Sequence, residues 1–173
     1  HEVHILFIVH ESIDAFSAAD FSNRLLGKSA TETSTVATDA TSDVLQTLGI
    51  ESSNPDASYK VVQFALLDSI QLSGLVQILH SSTESQNRID VSLLEAYDNR
   101  WQTLDERERG GPYSGMRGWL TATALQKIDG VLIEARFVMH EPEQWFAGDN
   151  YLRSKLPLVL QEAARNLRRR LKR

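Results

Sequence analysis

The segment 119–140 constrains the fold more than any other part of the chain. Two apolar-rich runs flank the dipeptide Asp129-Gly130, and Asp-Gly favours the positive φ angles of a tight hairpin turn. A two-residue loop would place ten side chains on one face, nine of them apolar: Leu120, Ala122, Ala124, Gln126, Ile128, Val131, Ile133, Ala135, Phe137 and Met139. The pattern therefore predicts a β-hairpin over 119–140 with the last four of these side chains facing the core.

The C-terminal segment predicts an amphipathic helix. Leucine and alanine recur there at spacings of three and four residues, which is typical of a helix with one apolar stripe: Leu152, Leu156, Leu160, Ala163, Leu167 and Leu171. The helix should begin near Asp149 or Ser154. Pro157 then either lies in the first turn or kinks a longer helix. We expect this helix to pack on one face of the sheet, beside the small alanines of the hairpin.

The N-terminal segment predicts a β–α unit. Residues 3–9 are almost continuously apolar, which favours a central strand covered on both faces. Ser12 and Asp14 are suitable caps for a helix that runs to about Leu26, and Gly27 fits the position after its end.

The middle of the chain predicts loops and further strands. A Ser/Thr-rich segment at about 29–42 favours a flexible loop or an irregular sheet edge. Residues 43–48, followed by Gly49, suit a short helix. Residues 60–67 and 89–93 are strand-like, and 70–80 fits a strand better than a helix.

These elements together predict an α+β fold with a largely antiparallel sheet in a single domain spanning residues 1–173. The apolar fraction of 42% is typical of folded proteins. The absence of cysteine excludes disulfides, thiolate chemistry and iron–sulfur clusters. No apolar run reaches the roughly 18–20 residues of a transmembrane segment, so we expect a soluble chain. Because it begins with His1, both a cytoplasmic protein and an exported mature chain remain open.

The sequence predicts neither catalytic residues nor metal ligands, and no cofactor. Gly27-Lys28-Ser29 resembles the end of a phosphate-binding loop, but Ser22 occupies the place of its first glycine. His4 and His10 would lie about 20 Å apart on one strand, too far to share a metal. No Gly-x-Ser-x-Gly motif is present. The balance favours a protein that is not an enzyme.

The glycine-rich segment 110–118 has two interpretations. It contains four of the nine glycines without the spacing of a dinucleotide-binding motif. It is either a flexible loop or a binding loop. In a binding loop, Arg117 would contact an anion and Tyr113 would pack on a partner.

The basic C-terminus departs most from the background composition. Six of the last nine residues are cationic, which leaves the rest of the chain at −11: Arg165, Arg168, Arg169, Arg170, Lys172 and Arg173. These side chains either complement the negative end of the helix dipole or bind an acidic protein, anionic lipid or nucleic acid.

The sequence therefore favours a non-catalytic binding or assembly component that engages a protein partner, or a second copy of itself, through its basic C-terminal helix. The first alternative is a small-molecule-binding protein or enzyme with a pocket between the sheet and that helix. The second is nucleic-acid or anionic-surface binding through the basic C-terminus.

Overall fold

The computed structural model describes residues 1–16, 35–51, 54–105, 109–143, 145–146 and 151–171. Within these ranges, nine strands form one antiparallel sheet. They are β1 (Glu2–Val9), β2 (Thr35–Asp39), β3 (Ala57–Leu66), β4 (Ile70–Ser82), β5 (Gln86–Leu93), β6 (Arg100–Thr103), β7 (Gly110–Pro112), β8 (Met116–Ala124) and β9 (Val131–Met139). Their order is β1-β9-β8-β5-β4-β3-β2, with β6 pairing to β4 and to β7. The predicted largely antiparallel α+β architecture is confirmed.

Helices are few in the described part of the chain. A short 3-10 helix spans Ile13–Phe16, α1 spans Ser42–Thr47 and α2 spans Tyr151–Leu171. The Thr41 hydroxyl caps α1 by accepting from the Val44 N–H at 3.4 Å, and Gly49 ends it with a φ of +69°. The predicted C-terminal helix is therefore present, and Pro157 lies inside it.

The hairpin of residues 119–140 has the predicted faces but a different register. Ala124 pairs with Val131, where a two-residue turn would have paired it with Ala135. Because this shift of four residues is even, the residues that remain in the strands keep their predicted faces. Gln126 and Ile128, predicted on the core face, lie instead in the loop and are exposed. Ile133 and Ala135 are buried, whereas Phe137 and Met139 are half-buried and pack against the core.

The predicted tight turn at Asp129-Gly130 is wrong. Among the described residues, positive φ angles occur only at Gly49, Leu67 and Asp68. The hairpin loop is wider, and its Leu125 N–H donates to the Gly130 carbonyl at 3.0 Å. The pairing of β8 with β9 ends at Val131, the residue at which the pairing of β1 with β9 also ends.

The first strand lies at an edge of the described sheet, so its predicted central position is also wrong. β1 pairs only with β9, and its outward-facing Leu6 and Ile8 are 56% and 40% exposed. The helix predicted to run to Leu26 lies mostly outside the described residues. Ser12 and Asp14 lie at the 3-10 helix that follows β1.

The predicted loops contain more strand than expected. Within the segment 29–42, residues 35–39 form β2 at the other edge of the sheet, because threonine and valine favour extended backbone and β3 offers pairing partners. Residues 29–34 lie outside the described part. Within 110–118, only residues 113–115 connect two strands. Strands β3, β4 and β5 cover the segments predicted as strands.

Two groups of buried side chains form the core on the inner face of the sheet. One contains Val9, Phe16, Ile89 and Ile133. The other joins β3, β4 and β6 to Trp145 and to Leu152 of α2, with Leu156 packed against it. The start of α2 is therefore anchored over the β3 and β6 side of the sheet.

Strand β4 divides the sheet into two branches. Its residues 70–73 pair with β6, whereas residues 76–82 pair with β5. Buried Asn99 stabilises the division: its Oδ1 accepts from the Leu75 N–H at 2.9 Å, and its Nδ2 donates to the Leu94 carbonyl at 2.8 Å. Gly74 lies against this amide, where a Cβ would be 2.4 Å from Asn99 Oδ1.

Candidate functional site

A groove of about 600 Å³ separates β1 from the middle of α2. Residues 2–7 line one side of it, and Pro157, Gln161, Ala164 and Arg165 line the other. The helix is anchored near its start and reaches the sheet edge along this stretch. The groove is therefore an opening between the sheet and the C-terminal helix.

The floor of the groove is apolar and incompletely covered. Val3, Ile5 and Phe7 point to the inner face, like Val9, yet they are half-buried whereas Val9 is buried. Pro157 and Ala164 add apolar surface from the helix. A ligand that covered these side chains would gain binding free energy of roughly 25 cal/mol for each Å² of apolar surface removed from water.

Most charges around the groove are already paired. Glu2 binds Arg136 at 2.8 Å, and His4 binds Glu134 at 2.7 Å. The hydrogen bond from Arg136 and its positive charge lower the pKa of Glu2. Arg165 is paired less well, because its contact with Glu162 is 3.5 Å long while Arg169 holds the same carboxylate at 2.9 Å. Among the charged residues that line the groove, Arg165 is therefore the most available partner for an acidic group of a ligand.

In the part of the sheet that the structure describes, one edge of β1 has no neighbouring strand and adds backbone groups to the groove. The Met139 N–H donates to the His1 carbonyl at 2.8 Å, and the His1 ammonium donates to the Met139 carbonyl at 2.7 Å. In an antiparallel ladder the hydrogen-bonded pairs alternate, so the N–H and carbonyl of His4 and Leu6 point away from β9. These groups can bond to a ligand along the edge.

Of the six basic residues predicted as a binding site at the C-terminus, the structure describes the side chains of Arg165 and Arg169. The side chains of Arg165 and Arg169 are 66% and 69% exposed and share Glu162. The side chains of Arg168 and Arg170, and residues Lys172 and Arg173, lie outside the described residues. The binding role of this terminus stays a prediction.

Tyr113 lies in the core. Its side chain is buried against Trp145, with ring centroids 5.2 Å apart. Its hydroxyl donates to the His140 carbonyl at 3.0 Å, and burial raises the pKa of the phenol. The Tyr113 hydroxyl therefore links the 113–115 connection to the residue that follows β9. The predicted contact of Tyr113 with a partner stays a prediction.

Arg117 lies on the outer face of the sheet, away from the groove beside α2. It is exposed and lines two neighbouring depressions of about 780 and 440 Å³. The structure therefore does not bring Arg117 together with Tyr113 or with the basic helix.

Sequence reasoning missed the residues that form the groove floor. Val3, Ile5 and Phe7 alternate as in a strand. Apolar Leu6 and Ile8 on the opposite face concealed which of the two faces was covered. A signal was present in Glu2 and His4, which mark the outer face at the start of the strand.

No group of three or more potential metal ligands occurs in the part of the chain that the structure describes. Of the helices in the described ranges, none is both long and apolar enough to span a bilayer.

Several solved structures resemble this one over almost the whole chain. TTHA0849 from Thermus thermophilus has a TM-score of 0.53 and 11% identity, covering 99% of this chain and 97% of its own. The di-domain ARO/CYC protein StfQ of the steffimycin biosynthetic pathway has a TM-score of 0.54 and 12% identity, with 99% of this chain covered. Ara h 8.0201 has a TM-score of 0.51 and 10% identity, with 99% and 97% covered.

These structures have helix-grip, Bet v1-like folds, and the present sheet with its C-terminal helix resembles them at the level of the fold. The chain spans about half the length of StfQ, at 49%. No family model and no characterised protein sequence matches the chain.

Proposed function

We propose that this protein binds a small amphipathic molecule in the groove between β1 and α2, with an apolar body on Val3, Ile5 and Phe7 and an acidic group at Arg165. The observation that carries this proposal is the half-buried apolar floor of a groove of about 600 Å³. That volume falls in the range of small-molecule sites, which combine apolar walls with few polar groups. The helix-grip fold is compatible with such a site.

Blocking the groove tests the proposal. In Ala164→Trp, an indole would fill space opposite β1, whereas in Leu158→Trp it would lie on a helix position that is already 59% exposed. The probe is 8-anilinonaphthalene-1-sulfonate, which combines aromatic rings with an anionic group. We expect Ala164→Trp to weaken its binding at least tenfold, about 1.4 kcal/mol, and Leu158→Trp to leave it within twofold. Equal affinity in the two variants, measured by fluorescence titration, would reject the groove as the site.

Arg165 has its own matched control in Arg169. Changing Arg165 to Gln should weaken binding of the sulfonate probe about threefold to tenfold, because a partly exposed charge contact is lost. The same change at Arg169 should have less effect, since Arg169 already binds Glu162 at 2.9 Å. The difference should shrink in 1 M salt, where the Debye length is about 3 Å.

The second candidate function is recognition of an acidic protein partner by the end of α2. The high exposure of Arg165 and Arg169 supports it. In a variant with Arg168, Arg169, Arg170, Lys172 and Arg173 all changed to Gln, helix propensity is kept. If these residues recognise a partner, its affinity should fall and lose salt dependence while the free energy of unfolding changes little. A modest loss of stability with unchanged partner binding would instead indicate dipole complementation.

A further inference from the structure

The sheet opens beside the end of β5. Strand β5 pairs with β8 only as far as Ser92 opposite Arg117, whereas β8 continues along β9 to Met116 opposite Met139. Leu93 still pairs with Val76 of β4, and the Leu94 N–H donates to the Leu75 carbonyl at 2.8 Å before the chain leads to β6. The depression of about 780 Å³ lies in this opening.

The opening exposes part of the core. Leu93, Met116 and Met139 line it, and all three contribute to the core group that contains Trp145. Methionine side chains are flexible and polarisable, so they adapt to the shape of an apolar ligand. The opening therefore offers an apolar contact area at this end of the sheet, formed by side chains of the inner face and apart from the groove beside α2.

Two opposite charges line the same opening without neutralising each other. Arg117 and Glu95 are both exposed there, and neither forms an ion pair with another residue in the described ranges. Neighbouring charges on the outer face behave differently: Arg88 binds Asp90 at 2.6 Å, and Arg136 binds Glu2 at 2.8 Å. The opening thus keeps one cation and one anion available.

Polar groups around the two charges can complete a ligand shell. The side chains of Ser92 and Ser114 line the opening and can each donate and accept a hydrogen bond. His140 also lines it and can donate or accept according to its tautomer.

We propose that this opening binds a small zwitterion with an apolar side chain, such as a free amino acid. The carboxylate would bind Arg117, whose guanidinium can form two parallel hydrogen bonds to it. The ammonium would bind Glu95, and the side chain would lie on Leu93 and Met116. This site is independent of the groove beside α2, so either proposal can fail without the other.

The test compares three probes of similar size on the full chain. L-leucine carries both charges, 4-methylpentanoate lacks the ammonium, and 3-methylbutylamine lacks the carboxylate. We expect leucine to bind with a Kd on the order of 1 mM and each single-charge analogue to bind at least threefold more weakly. NMR titration measures the affinity of each of the three probes, and the methyl shifts of Met116 and Met139 show where the probe binds.

Three charge variants sharpen the test. Arg117→Gln should weaken leucine and 4-methylpentanoate, whereas Glu95→Gln should weaken leucine and 3-methylbutylamine. Arg136→Gln is the control, because Arg136 lies on the same face but lines the neighbouring depression. The proposal is overturned if leucine causes no methyl shift at about 20 mM, if 4-methylpentanoate binds as tightly as leucine, or if Arg117→Gln and Glu95→Gln leave leucine affinity unchanged.

Discussion

Replacing Trp145 by alanine should lower the free energy of unfolding by about 3–5 kcal/mol, which is typical for truncating a buried large aromatic side chain. Trp145 is 2% exposed, and its ring lies 5.2 Å from Tyr113 and 6.2 Å from Trp101 between ring centroids. It joins the segment before α2 to the β6 branch of the sheet. Its removal would leave a cavity that the surrounding strands cannot close.

Urea unfolding followed by circular dichroism measures this loss, since tryptophan fluorescence would change with the mutation itself. Trp145→Phe is the matched variant: it keeps an aromatic ring and removes Nε1, which has no hydrogen-bond partner among the described residues. We expect it to cost clearly less than Trp145→Ala, because the phenyl ring fills part of the cavity that alanine would leave. If Trp145→Ala lowers the free energy of unfolding by less than about 1 kcal/mol, the Trp145 side chain does not contribute to the core as proposed.

Changing Asn99 to alanine should cost about 2–4 kcal/mol of unfolding free energy. The variant loses the hydrogen bonds to the Leu75 N–H and the Leu94 carbonyl. It leaves the buried Leu75 N–H without that partner where β4 divides, which costs about 1–3 kcal/mol. The Leu94 carbonyl keeps its bond from the Tyr97 N–H at 3.1 Å, so losing the Asn99 bond there adds only about 1 kcal/mol. Denaturant unfolding measures the change. A cost near zero would mean that water replaces the amide.

Gly74→Ala provides a second test of the same site. An alanine Cβ would lie 2.4 Å from Asn99 Oδ1 and 2.9 Å from Leu93 Cδ2, so the two positions must interact. We expect Gly74→Ala to lower the free energy of unfolding less in an Asn99→Ala background than in the unchanged protein. The Asn99→Ala change removes the Oδ1 atom with which the new Cβ would clash. Additive losses in this double-mutant cycle would contradict the close approach.

Features that depend on local pattern could be predicted from the residues alone. Alternating apolar residues identified the strands of the hairpin, and the spacing of leucines identified α2, because side-chain period follows from backbone geometry. The inward face of Ile133 and Ala135 was also predictable, since an even shift of register leaves it unchanged. The loop between these strands was not predictable in the same way, because side-chain alternation fixes which residues share a face and does not fix which residues pair.

The order of the strands could not be predicted from local sequence pattern, and neither could the contacts between residues far apart in the chain. Both depend on the tertiary structure. Residues 3–9 have the apolar composition of a central strand, yet strand order placed β1 at an edge beside α2, and the groove results from that position. Arg117 and Glu95 lie far apart in the sequence but line the same opening, at the point where the pairing of β5 with β8 ends. Tyr113 is buried because Trp145, far along the chain, packs on it. Such pairings depend on non-local contacts, which the local period of a sequence does not encode.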